Sequence, residues 1–137
     1  MIAELSSRAT TVACVADRST THAAHEFAQS LRAAWSRDTS ADPAAWAPDN
    51  PAWGQCAVTA LIVQDRFGGQ LLRCETATGS HYFNRLPDGT ELDLTCEQFP
   101  DGITPQNTEV RYREHLLGFE PTRRRYETLS ARITRLP

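Results

Sequence analysis

The chain has 137 residues, 40% of them hydrophobic and 23% charged, with a formal net charge of −3 and a pI near 5.8. This size and apolar fraction suit one compact domain with a single modest core. The acidic balance excludes a generic nucleic-acid binder, which needs a basic face. The longest apolar run, Ala57 to Val63 broken only by Thr59, falls far short of the roughly 20 residues that span a bilayer, so no membrane association is expected. The first residues lack the basic, apolar, small-residue layout of a secretory signal. The expectation is a cytoplasmic protein in which Cys14, Cys56, Cys74 and Cys96 are free thiols. No CxxC pair is present, and His22, His25, His81 and His115 have no zinc spacing with the cysteines, so no metal site and no cofactor are expected. All 14 basic residues are arginine.

In chain order, residues 1–19 show no clear period and read as a loosely ordered arm, or as an added first strand, leaving 20–137 as a single α+β domain. His22 to Trp35 reads as an amphipathic helix capped by Thr20 or Thr21, with Phe27, Leu31, Ala34 and Trp35 as its stripe. Residues 36–52, with Pro43, Pro48 and Pro51, form a long connection; long ordered loops often carry function. A second helix runs from about Gln55 to Arg66. It is apolar at nearly every position from Ala57 to Val63, hence buried on most sides, and stops at Gly68-Gly69. A strand follows at Gln70 to Thr76, then a Thr-Gly-Ser turn, then a strand at His81 to Leu86.

Pro87-Asp88-Gly89 is a three-residue turn, with proline presetting the first position and glycine accepting the left-handed one. It returns the chain as a strand at Thr90 to Thr95. This turn pairs Leu86 with Thr90, Phe83 with Asp93 and His81 with Thr95, placing His81 and Asp93 on one face as diagonal neighbours. A two-residue loop would put Asp93 on the other face. Residues 97–118 read as mostly irregular, anchored by Phe99, Ile103, Val110, Leu116 and Leu117. A last helix begins near Thr122, with Tyr126, Leu129, Ile133 and Leu136 inward and Arg123-Arg124-Arg125 on a solvated face. Cys74 and Cys96 read as packing residues and His115 as a surface residue.

Three residues carry a chemical pattern. Cys56 lies at a helix start, where free backbone N–H groups stabilise a thiolate. His81 lies on a strand and Asp93 on the next, flanked by Leu92 and Leu94. A thiol needs a base to become nucleophilic, and the base needs a third group to orient it. Cys56 and His81 alone are more often structural than catalytic, whereas Asp93 between two apolar residues needs a partner if buried; the three in this order point to thiol chemistry.

The segment from about Trp53 to Phe99 resembles the core of papain-like and transglutaminase-like thiol enzymes, in which a helix opens on the nucleophile and a histidine strand and an aspartate strand follow. More narrowly, Trp53-Gly54-Gln55-Cys56-Ala57-Val58-Thr59-Ala60-Leu61, Ser80-His81-Tyr82, Asn84-Arg85-Leu86-Pro87-Asp88-Gly89 and Asp93-Leu94-Thr95 resemble the small bacterial YunG-like proteins, over about residues 22–136. The resemblance implies Cys56 as nucleophile, His81 as proton carrier and Asp93 as the group that fixes the imidazole tautomer. It also implies an oxyanion hole, each donor worth roughly 3 kcal/mol. The Cys56 N–H is one donor. Gln55, the Trp53 indole and Asn50 are candidates for the second; Asn50 stands six residues upstream of Cys56, where papain-like enzymes carry a glutamine. Asn84 is a candidate substrate contact on the hairpin surface, with Arg85.

The expected fold is therefore α+β: a papain-like or transglutaminase-like core, its buried cysteine helix packed on a small antiparallel sheet, with N- and C-terminal helices. The expected function is a cysteine-dependent hydrolase or acyl transferase acting on a small amide, peptide or acyl substrate through a thioester. The alternatives are a non-catalytic binding or regulatory module on the same fold, and a biosynthetic enzyme using Cys56 for cyclisation, deamidation or transfer. The expected partner is a small-molecule or peptide substrate; oligomeric state stays open.

Overall fold

The computed structural model describes residues 13–14 and 22–135. The elements are β1 (Ala13–Cys14), α1 (His22–Ala34), a 3-10 turn (Arg37–Thr39), α2 (Cys56–Phe67), β2 (Gln70–Thr76), β3 (Gly79–Arg85), β4 (Glu91–Asp93), a 3-10 turn (Cys96–Gln98), β5 (Gln106–Arg111), α3 (Arg113–Leu117) and α4 (Glu120–Arg135). The expected caps Thr20 and Thr21 and the expected anchor Leu136 lie outside the described residues.

Strands β4, β3, β2 and β5 form an antiparallel sheet in that order, and β1 adds to the β4 edge in parallel. The domain is a mixed α+β fold, as the alternation of helical and strand periods implies. Helix α1 turns Ala24, Ala28, Leu31 and Ala34 inward, the i, i+4, i+7 spacing of one helix face. Helix α2 buries every residue from Val58 to Val63, and each of its larger apolar side chains contributes about 1.5–3 kcal/mol on burial. The two helices lock through a buried Trp35 Nε1 to Thr59 Oγ1 hydrogen bond (3.0 Å) and an edge-on Phe27–Phe67 contact. On one face of the sheet, Leu71 and Leu92 join α2 residues in the core. Helix α4 closes the other side of α2 with Leu129 buried and Tyr126 and Ile133 partly buried.

The β3–β4 turn has the expected register. Leu86 N–H donates to Thr90 O (2.7 Å), Gly89 N–H to Leu86 O (2.9 Å), and Asn84 pairs with Leu92. Gly89 takes φ +91°, the left-handed step that the three-residue loop requires. Other expectations are corrected. The β2–β3 turn is Ala77-Thr78, because Thr76 pairs directly with Gly79. The segment read as irregular contains β5 and the short α3. Val110 is exposed on the outer strand rather than an anchor, and α4 begins at Glu120. Arg123 and Arg124 are exposed beside Glu120; Arg125 is half-buried and donates to Thr122. Of the two readings of residues 1–19, the added first strand holds at Ala13–Cys14, which form β1. Cys56 and Cys74 are free, but Cys96 is disulfide-bonded, so the expectation of free thiols fails there. The absence of a short cysteine spacing carries no information about bonds between distant cysteines. Among the described residues, no helix is long and apolar enough to cross a membrane.

Candidate functional site

The connection before α2 is an ordered loop. Ala41 N–H donates to Gly54 O (2.8 Å), Ser40 Oγ to Trp53 O (2.8 Å) and Trp46 Nε1 to Pro51 O (3.0 Å). Gly54 sits at φ +75°, and a Cβ there would lie 2.2 Å from Ser40 Oγ and 3.0 Å from Ala41 N. Only glycine meets both demands. The next residue, Gln55, is fully buried at the N-cap of α2. Cys56 is then the first residue of the helix and half-buried. The first-turn N–H groups of a helix lack intrahelical acceptors and carry partial positive charge, which favours an anionic sulfur.

His81 comes from the middle of β3 and Asp93 from the end of β4, both buried. Their Nε2 and Oδ2 atoms are 2.6 Å apart. The other carboxylate oxygen, Oδ1, accepts from Thr95 N–H (3.0 Å) and Thr95 Oγ1 (3.1 Å). The acid thus has hydrogen bonds on both oxygens, as a buried charge requires. Phe99 meets the imidazole edge-on with centroids 4.9 Å apart, and Phe83 stacks at 6.1 Å. Burial opposes a charged ring here, but the hydrogen bond to Asp93, the Cys56 thiol and the charges of both groups outweigh it. Together they raise the His81 pKa from 6.5 to about 10. The remaining ring atom, Nδ1, is buried with no partner at hydrogen-bonding geometry, although Cys56 is close enough to act on the ring. Cys74 lies directly across the ladder from His81. Burial, then the charges of Asp93 and Cys56, push its thiol up to about 11, so Cys74 stays protonated at neutral pH.

The remaining expected site residues divide. Gln55 gives its Nε2 to Ser36 O (3.0 Å), while its Oε1 is buried without a partner. The Trp53 indole donates to Asp42 Oδ2 (3.1 Å). Asn50 and Trp53 both line a cleft of about 500 Å³, with Arg32, Pro51, Glu97 and Pro100. Asn84 does not face the hairpin surface. It is buried, and its Nδ2 donates to Ala60 O of α2 (3.0 Å), since strand alternation puts it on the face opposite His81 and Phe83. Sequence reasoning missed Gln98, whose Nε2 donates to Thr95 Oγ1 (3.1 Å) and whose Oε1 faces Gly54 N–H at 3.4 Å. No local pattern marks it, because one of its contacts spans 44 residues. Among the described residues, no group of three or more histidine, cysteine or acidic side chains could hold a metal ion.

The architecture defines a small mixed α+β domain with a cysteine at a helix start beside a buried histidine–aspartate pair. The YunG protein family matches residues 23–136, and the chain belongs to that family. It is 36% identical over 87 residues to the uncharacterized protein YunG of Bacillus subtilis (strain 168), an alignment covering 64% of this chain and 72% of the relative. No solved structure matches.

Proposed function

We propose that the protein is a cysteine-dependent hydrolase or acyl transferase with a papain-like or transglutaminase-like arrangement of Cys56, His81 and Asp93. The observation that carries the reading is the buried 2.6 Å His81–Asp93 pair, with Cys56 acting on the same ring. A buried carboxylate on one imidazole nitrogen fixes the ring and favours its cationic form. The other nitrogen is left for a thiol, and a thiolate–imidazolium pair is the reactive form of such a site.

In this reading the Cys56 thiolate attacks the carbonyl carbon of a small amide, peptide or acyl substrate. The tetrahedral oxyanion is met by the Cys56 N–H, with Asn50, Trp53 and Gln55 as the candidates for a second donor. The Trp53 indole has a single N–H and would first have to release Asp42, whereas Gln55 Nε2 keeps a second N–H beside its bond to Ser36 O. The His81 imidazolium donates its proton to the departing amine, leaving a Cys56 thioester and a neutral ring. Water or an acceptor amine, deprotonated by His81, then cleaves the thioester and restores the thiolate.

The test is the rate of iodoacetamide labelling of Cys56 against pH, followed by intact-mass spectrometry with peptide mapping, in wild type and His81→Ala. The expected result is selective labelling of Cys56 with a midpoint well below about 8.5, the free-thiol value, and loss of that advantage in the variant. Labelling with an ordinary midpoint and indifferent to His81 would sink the reading in favour of a non-catalytic module.

A further inference from the structure

Four hydrogen bonds connect the two halves of the site by a route that avoids the reacting atoms. Gln98 is buried in the 3-10 turn Cys96–Gln98. Its Nε2 donates to Thr95 Oγ1 (3.1 Å), and that hydroxyl donates onward to Asp93 Oδ1 (3.1 Å). Thr95 N–H holds the same oxygen at 3.0 Å. At its other end Gln98 Oε1 faces the Gly54 N–H at 3.4 Å, two residues before Cys56. One amide therefore touches both the loop that launches the cysteine helix and the turn that holds the acid. The two segments have no sequence-local reason to keep a fixed separation.

From this we infer that Gln98 is a positioning residue: it sets the distance between Cys56 and the His81–Asp93 pair by bridging Gly54 to Thr95. The inference rests on the reading of Cys56 and His81 as a working pair. The direction of each bond follows from the donors available. The Asp93 carboxylate only accepts, so the Thr95 hydroxyl must give its proton to Asp93 and accept from Gln98. An amide supplies both the donor for Thr95 and the acceptor for Gly54, whereas a carboxylate or an ammonium supplies only one. The 3.4 Å contact is the longer end of the bridge and so the end that closer docking of the loop would shorten.

The experiment compares Gln98→Met with wild type in the same labelling assay. Methionine keeps the length and packing of the side chain but neither hydrogen bond, so a residue that merely fills space is satisfied by it. With circular dichroism showing an unchanged fold, Gln98→Met should label Cys56 roughly tenfold more slowly at pH 7, the scale on which small misplacements act, with a midpoint moved toward about 8.5. Wild-type rate and midpoint in Gln98→Met, beside a clear loss in His81→Ala, would overturn the positioning role and leave the Cys–His reading intact. An unactivated wild-type Cys56 would overturn both. Should Gln98→Met fail to fold, Thr95→Val and Thr95→Ser decide: the valine variant should show the same slowing and the serine variant, which keeps the hydroxyl, should recover from it. Equal behaviour of the two would reject the bridge.

Discussion

The β3–β4 hairpin and the outer strand β5 belong to one sheet but are built to opposite demands. In the hairpin, His81, Phe83, Asn84, Leu92 and Asp93 are all buried, and each polar side chain among them has a hydrogen-bond partner. In β5, five of six residues are exposed. Its ion pair, Glu109 to Arg111 at 2.8 Å, has a short contact much like that of His81 and Asp93. Distance alone therefore does not rank the two pairs. The solvent around them does, because removing one partner of a buried pair strands a charge that water cannot reach, whereas Arg111, its side chain 31% exposed, stays in reach of water when Glu109 is removed.

The largest expected effect is on the buried side. Asp93→Ala should destabilise the domain by about 3–5 kcal/mol, read as a lowered urea midpoint at unchanged slope; a loss below about 1 kcal/mol would break the comparison. The same pair dictates a pH dependence. The His81 pKa is raised on folding, so its contribution is fully present below its unfolded value near 6.5 and is lost as pH rises toward about 10. Urea midpoints measured across that window should fall with pH in wild type and lie flatter in His81→Ala; equal slopes would show that the ring does not gain a proton on folding. The smallest effect belongs to the rim. Glu109→Ala should cost no more than about 1 kcal/mol, and that little should shrink further in 1 M salt. A cost matching that of Asp93→Ala would mean that burial is not what separates the two regions.

The same contrast explains what the sequence made legible. The hairpin was readable because Pro87-Asp88-Gly89 fixes the loop at three residues, and that count alone decides which face Asp93 takes. Helix α2 was readable from its apolar run and from Gly68-Gly69 at its end. Strand β5 was not: both of its faces meet solvent, so Gln106-Asn107-Thr108-Glu109-Val110-Arg111 has no alternation to detect. The period-2 rule puts Asn84 on the face opposite His81, toward α2, where its amide meets Ala60 O; reading it as a surface residue neglects that alternation. The Trp53 indole was a candidate donor because Asp42, eleven residues away, is invisible to any local pattern. Gln98 was missed for the same reason at longer range.

The parallel pairing of β1 with β4 bears on the order of assembly. Arg85 meets Glu91 from six positions away, whereas Cys14 meets Asp93 from 79 positions away. Closing the longer loop costs about 2 kcal/mol more in chain entropy, and contacts of that range slow folding. The strand that carries Asp93 is thus registered first by its own hairpin and gains its second neighbour only when distant chain segments meet. Kinetically, the aspartate is aligned with the histidine before the sheet edge beyond it is covered.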